Sequence, residues 1–197
     1  MERAVRVLIA EDETIIRLDV RALLERAGHE VVAEARDGRE AVALAAELAP
    51  DLIVMDVRMP HMDGIEAARE ISRARPVPIV MLTAYAEADL VARASEAGAF
   101  GYLVKPFREV DLLPAIDTAR ARFDELAALR AEAADLAEAL ASRKAVERAK
   151  GILMERDGID EAEAFRRVRA ASQKTGKPMR VVADALIATL GAEAGEA

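Results

Sequence analysis

The stretch Asp51-Leu52-Ile53-Val54-Met55-Asp56 sets four apolar residues in an unbroken row between two carboxylates. A run this short and this apolar, without polar alternation, is the pattern of a strand buried on both faces, which is how parallel sheets read. Outward from it, residues 5–10, 31–33, 78–82 and 99–104 repeat the strand character. The segments between them are helical. Ile15, Leu18, Leu23 and Leu24 share a helical spacing that Gly28 stops. Residues 40–48 form a second helix ended before Pro50, and a third follows Pro60 and Gly64 and runs to about Arg73. Residues 87–97 form a fourth helix broken by Gly98, and the fifth starts near Glu109. Five strands alternating with five helices predict an α/β domain over about 120 residues, with a parallel sheet covered on both faces and right-handed crossovers.

In such a sheet the ligand crevice lies at the carboxyl ends of the strands. The chemically capable residues all fall there. Glu11 and Asp12 follow the first strand, Asp56 closes the third, Thr83 ends the fourth, and Lys105-Pro106 follows the fifth. Three acids and one lysine at one sheet edge suit a divalent cation and a transferable phosphoryl group. A hard cation such as Mg²⁺ takes oxygen ligands and keeps several waters. Asp12 and Asp56 can supply carboxylate oxygens, with Glu11 close by or acting through water and the backbone carbonyl of Arg58 completing the set. Asp56, held rigidly at the end of a buried strand, is the expected nucleophile and phosphoacceptor. Thr83 and Lys105 would each pair with a phosphoryl oxygen only after phosphorylation. Tyr102 would swing between exposed and packed rotamers as Thr83 moves, supplying a two-state element.

Residues 4–120 resemble a response-regulator receiver domain. The resemblance is carried by residues 7–13 (Val-Leu-Ile-Ala-Glu-Asp-Glu), 51–64 (Asp-Leu-Ile-Val-Met-Asp-Val-Arg-Met-Pro-His-Met-Asp-Gly), 81–84 (Met-Leu-Thr-Ala) and 101–107 (Gly-Tyr-Leu-Val-Lys-Pro-Phe). It implies a flavodoxin-like (βα)5 sheet of order 2-1-3-4-5, Mg²⁺ binding, and phosphoryl transfer to Asp56 from a partner sensor histidine kinase. Glu11 and Asp12 match the acidic pair, and Thr83, Tyr102 and Lys105 match the switch residues. His61 lies in the loop after the phosphoacceptor and is read as neither ligand nor base.

The remainder of the chain differs in kind. From Leu112 onward, Ile116, Ala119, Phe123, Leu126, Leu129, Ala133, Leu136 and Leu140 recur every three or four residues, and no Gly or Pro interrupts residues 115–150. A helix this long suggests a coiled coil, although the step from Leu126 to Leu129 breaks a strict heptad. Both a homodimer and a monomeric linker helix fit. Asp157-Gly158 ends that helix, Asp160 and Glu163 resemble a capping box with Ile159 stapled on Ala164, and a further helix runs to about Gln173. Thr175-Gly176-Lys177 turns into a final helix entered at Pro178 and ending near Leu190.

Charge divides the chain in the same place. Residues 1–120 hold 15 Lys/Arg against 22 Asp/Glu, whereas residues 143–180 hold 11 against six. An acidic first module and a locally basic second one point to different partners. Lys144, Arg148, Lys150, Arg166, Arg169, Lys174 and Lys177 form the expected nucleic-acid surface, although a protein or DNA partner fits charge alone. The last helix has few polar side chains with which to read a major groove. Phe165, the sole aromatic after Phe123, is expected to join the short helices as a core residue, with base stacking as the other use. There is no cysteine, hence no disulfide or thiolate metal site, and no room precedes the first strand for a signal peptide. No run of 18 charge-free apolar residues exists, so a cytoplasmic protein is expected.

Residues 143–190 are similar to the ANTAR domain, an RNA-binding antitermination module. The likeness rests on Lys144, Ala149-Lys150-Gly151-Ile152-Leu153-Met154, Glu161, Ala164-Phe165, Arg169, Ala171 and Val182-Ala183, with Ser172 a departure where Met is common. The order receiver, coiled coil, ANTAR resembles phosphorylation-dependent antitermination regulators of actinobacteria. This implies binding to paired hairpins in leader RNA by a protein that is a regulator, not an enzyme. The expected division is a receiver at 1–120, a coiled-coil helix at 121–142, a three-helix ANTAR bundle at 143–191 and a disordered tail at 192–197.

Overall fold

A computed structural model describes residues 4–84 and 88–193. The strands are β1 (Arg6–Ala10), β2 (Glu30–Ala35), β3 (Leu52–Asp56), β4 (Ile79–Thr83) and β5 (Gly101–Val104). The interleaved helices are α1 (Thr14–Arg26), α2 (Gly38–Leu48), α3 (Gly64–Ala74), α4 (Ala88–Glu96) and α5 (Glu109–Asp157), followed by α6 (Glu161–Thr175) and α7 (Met179–Glu193). All pairings are parallel, in the order β2-β1-β3-β4-β5. The expected sheet is therefore the one observed.

The period of two along each strand sends successive side chains to opposite faces. Leu8, Ile53, Met55, Ile79 and Met81 pack in one core with Ala67, Ala68 and Ile71 of α3 and Ala94 of α4. Val7, Ile9, Val54, Val80 and Leu82 pack in the other with Leu24 of α1 and Leu112 and Ile116 of α5. Every residue of β3 and β4 is buried, which explains the unbroken apolar run of residues 52–55. Covering both faces of the sheet leaves its carboxyl edge as the place where polar groups converge.

The chain divides into two compact units, Met1–Ala127 and Ala128–Ala197, and α5 is one continuous helix whose residues belong to both. In the second unit, Val146, Ala149 and Leu153 of α5 pack with Ala164 and Val168 of α6 and Ala183 of α7. Gly158 and Gly176 adopt φ of 64° and 66°, the left-handed conformation that lets α5 and α6 stop where the sequence predicts. Asp160 caps α6 by accepting from the Glu163 N–H at 2.7 Å. The other half of the capping box is not made, because the Glu163 carboxylate accepts from Arg166 and Arg167 instead.

Two expectations shift. Phe165 is not a core residue: it is 40% exposed, and the adjacent Ala164 and Val168 fill the interior. The last helix extends to Glu193 rather than ending near Leu190. Residue 87, and residues 194–197 of the expected disordered tail, lie outside the described residues.

Candidate functional site

Sheet geometry assembles the first site. β1 and β3 are neighbours, so Glu11 and Asp12, just past β1, stand beside Asp56 at the end of β3. One carboxylate oxygen from each of the three lies within 4.8 Å of the others. Glu11 and Asp56 are buried and Asp12 is exposed, so the cluster opens toward solvent on one side. Lys105, just beyond β5, brings its Nζ to 2.7 Å from Glu11 Oε2 and 3.1 Å from Asp56 Oδ2. The lysine approaches Glu11 Oε2 at ion-pair distance but at a poor angle, and that buried oxygen accepts no hydrogen bond.

Electrostatics follows from this crowding. Burial pushes the Asp56 carboxyl above its ordinary pKa, against the opposing pull of Lys105 and of the Val57 and Arg58 backbone N–H groups. Burial likewise raises Glu11, and the Asp56 charge adds to it while Lys105 opposes. Lys105 is itself raised: its own desolvation works against this, and the two carboxylates outweigh it. One ammonium is thus shared between two partly desolvated acids, an arrangement that leaves room for more positive charge.

The remaining receiver residues fall where expected. Thr83 is buried at the end of β4, and its carbonyl accepts from the Lys105 N–H at 2.8 Å. Tyr102 lies opposite Met81 in the β4–β5 register, half-buried against the core beneath α3 and α4, and burial raises its phenol pKa. Arg58 follows Asp56 by two residues with its side chain exposed, and His61 is exposed outside the acidic cluster.

In the second unit, Lys144, Arg148, Arg169, Lys174 and Lys177 are exposed and make no ion pair among the described residues. Arg166 is exposed but held by Glu163 at 2.5 Å. Lys150 departs from its expected place on the outer surface. It is only 5% exposed, with its ammonium 2.8 Å from Glu147 and 2.6 Å from Glu161. Glu147 sits one turn before it on α5 and Glu161 opens α6, so Lys150 bridges the two helices from inside.

Comparison with known proteins decides the family. Residues 7–117, more than half of the chain, match the response regulator receiver domain, and residues 134–187 match the ANTAR domain. The chain belongs to the response regulators. It is 52% identical over 186 residues to the transcriptional regulatory protein PdtaR of Mycobacterium tuberculosis, covering 94% of this chain and 91% of that one. The signal receiver domain of the response regulator NarL from the same species matches with a TM-score of 0.56 and 34% identity, over 60% of this chain and 98% of that one. A CheX–CheY–BeF₃–Mg²⁺ complex from Borrelia burgdorferi matches with a TM-score of 0.56 and 26% identity, over 57% of this chain and 86% of that one. This response regulator therefore joins a receiver domain, which serves phosphorylation-based signalling, to an ANTAR domain, which serves RNA binding and antitermination. Among its described residues no helix is long and apolar enough to cross a membrane.

One supporting residue, Arg17, escaped the reading of the sequence, and so did the close contact made by Gly64. Arg17 is buried on α1 and donates from Nη1 to the Glu11 carbonyl at 2.7 Å, while its Nε contacts Glu34 on β2 at 3.1 Å. It fixes the backbone that presents the acidic pair. A charged residue on an amphipathic helix gives no sign of turning inward, so periodicity could not find it. Gly64 packs on the end of β3 so closely that a Cβ there would lie 2.0 Å from the Asp56 carbonyl oxygen.

Proposed function

We propose that this regulator accepts a phosphoryl group on Asp56 from a sensor histidine kinase, and that the modification controls binding of hairpin leader RNA and antitermination. The observation that carries the reading is the convergence of Glu11, Asp12, Asp56 and Lys105 at one sheet edge, with a buried carboxylate oxygen left without a hydrogen bond. That orphan oxygen and the all-oxygen donor set fit a hard divalent cation. Asp12 and Asp56 would hold Mg²⁺ by their carboxylates, with Glu11 and the Arg58 backbone carbonyl beside them. When bound, the cation supplies positive charge that offsets the repulsion between a carboxylate nucleophile and a dianionic phosphoryl group.

The chain's own residues then carry the transfer. An Asp56 carboxylate oxygen attacks phosphorus while the bond to the donor imidazole nitrogen breaks, and the imidazole leaves with the electron pair. Burial at the end of β3 fixes the line of attack. Lys105, already 3.1 Å from Asp56, pairs with one new phosphoryl oxygen, and the Thr83 hydroxyl donates to another. Movement of the Thr83 segment gives the Tyr102 ring space to pack inward, which biases the surface around β5 and α5.

The linker and tail complete the reading, with a receiver to residue 120, a coiled coil over 121–142 and the ANTAR domain from 143. Leu129, Leu136 and Leu140 are each more than half exposed along α5 and supply a seam for a second copy of the chain. Two ANTAR domains on one dimer would grip two adjacent hairpins, because linkage raises effective concentration. Occupied hairpins would keep a terminator from forming. The test is a gel shift of twin-hairpin leader RNA with and without a phosphoryl donor, using wild type and Asp56→Asn. Binding that the donor strengthens in wild type alone supports the proposal, and indifference to RNA in both states removes it.

A further inference from the structure

Phe165 is a large aromatic side chain that the fold leaves outside its core. The interior of the second unit is closed by Val146, Ala149, Leu153, Ala164 and Val168, and the phenyl ring contributes to none of it. Instead the ring stands on α6 at the margin of an open depression of about 400 Å³. Residues 139, 142, 143, 146 and 147 of α5 form one wall, spaced three and four apart on a single helix face, and Met179 at the start of α7 closes the end. The lining is apolar apart from Ser142, Arg143 and Glu147.

Its charges differ in availability. The Glu147 carboxylate is already engaged by Lys150 at 2.8 Å. Arg143 is exposed and makes no ion pair among the described residues, and neither does the neighbouring Lys144. The depression thus combines an aromatic face, an apolar floor, a neutralised acid and one unpaired cation, Arg143, in its lining, with Lys144 the next residue along the helix. Those are the parts of a site for a flat, neutral, aromatic group carried on an anionic backbone. A second chain is the competing occupant, since the leucine seam of α5 runs toward this region. At position 143, however, the three-and-four spacing that carries Leu136 and Leu140 arrives at an arginine, and at 147 at a glutamate, so the apolar seam gives way to charged residues along the wall of the depression.

We propose that this depression is a nucleotide subsite, in which one unpaired base of the hairpin RNA stacks on Phe165 while Arg143 and Lys144 hold the adjoining phosphates. The inference rests on the RNA-binding reading under Proposed function and adds to it the place where a base is received.

The chain contains no tryptophan, which makes a direct optical test possible. Phe165→Trp places a single indole in the site, and Phe165→Leu keeps the apolar volume but removes the aromatic face. Both are titrated with twin-hairpin leader RNA beside wild type, with circular dichroism and solution mass recorded on each protein. Loss of one stacked base in Phe165→Leu is expected to weaken binding roughly 5- to 150-fold. Phe165→Trp is expected to keep wild-type affinity, with its indole emission quenched as RNA is added. Unchanged affinity in Phe165→Leu, or indole emission indifferent to bound RNA, overturns the subsite. A fall in solution mass in Phe165→Leu without loss of RNA affinity also overturns it, in favour of a second chain as occupant. Failure of wild type itself to bind the RNA would sink the reading beneath it, and so is distinguishable.

Discussion

The proposed role of Asp56 as a nucleophile requires its charged form, and its burial opposes that form. Burial holds the Asp56 and Glu11 carboxyls above their ordinary pKa values. A carboxyl raised in this way binds its proton more tightly in the folded chain than in the unfolded one. Its contribution to stability is therefore greatest in acid and falls as pH climbs from the ordinary carboxylate value through the raised one. At neutral pH these two carboxyls oppose folding, whereas the raised Lys105 favours it. Asp56→Asn removes one charge while leaving Lys105 paired with Glu11 at 2.7 Å. The variant should accept no phosphate from kinase, measured by hydroxylamine-labile labelling, and should also melt higher than wild type at pH 7. If the relief is about 1 kcal/mol the rise is about 2–4 °C, shrinking toward pH 4, which calorimetry across that range would record. Labelling that persists in the variant would remove Asp56 as acceptor, and a lower melting temperature would mean that its pairing with Lys105 outweighs its burial. Much of this site was legible, because Glu11, Asp56, Thr83 and Lys105 each follow directly on an apolar run and Asp12 is the residue after Glu11. Arg17 was not, since the sequence does not say that its guanidinium turns inward to the Glu11 carbonyl.

At the scale of elements, the loop from β3 to α3 sets the geometry around Asp56. Asp63 caps α3 by accepting from the Glu66 N–H at 2.8 Å, and the Gly64 N–H donates to the Val57 carbonyl at 2.9 Å. The loop is also tied to α2, where the Gly38 N–H donates to Met62 O at 3.2 Å. A methyl group at position 64 would strike the Asp56 backbone, which cannot swing aside as a side chain tip can. Gly64→Ala should therefore fold with a displaced loop and lose most kinase-dependent labelling, whereas alanine at the exposed neighbour Glu66 should leave labelling near wild type. Equal labelling of the two variants would show that the loop adjusts without disturbing Asp56. The sequence signalled this glycine as a turn, but not the backbone it presses against. Helix α5 shows the same split. Its continuity was legible from periodicity and the lack of Gly or Pro over residues 115–150, whereas its partner was not, because a stripe of leucine does not name what covers it. Leu136 is 65% exposed in the single chain, so Leu136→Lys should leave thermal unfolding of the receiver unchanged and shift the solution mass from dimer to monomer. Equal mass for wild type and variant would argue for a solitary linker helix.

For the whole molecule, charge is what separates the two modules, and counting it in the sequence misjudged which cations are available. Lys150 carries its charge into the α5–α6 junction between Glu147 and Glu161, and Arg167 spends its own on Asp157 and Glu163. Ion pairs between helices cannot be foreseen from residue type, because they depend on which turns face one another. Over residues 143–180, the cations that make no ion pair among the described residues, Arg143, Lys144, Arg148, Arg169, Lys174 and Lys177, are the ones able to neutralise phosphates. Each neutralised phosphate releases condensed counterions, so RNA affinity should fall with salt along a line whose slope reports how many phosphates are engaged. Lys144→Gln and Arg169→Gln remove two candidate cations without touching Asp56. Together they should flatten the slope of log affinity against log salt by roughly 0.7 for each phosphate no longer neutralised, the single-strand coefficient. Phosphorylation of Asp56 should proceed as in wild type. Lys150→Gln should behave differently: it breaks a part-buried bridge between two helices, so it should lower the melting temperature of the ANTAR unit, and its salt slope should stay that of wild type. If Lys150→Gln instead flattened the slope and left melting unchanged, its ammonium would be reaching RNA, and the bridge between Glu147 and Glu161 would not be its working position.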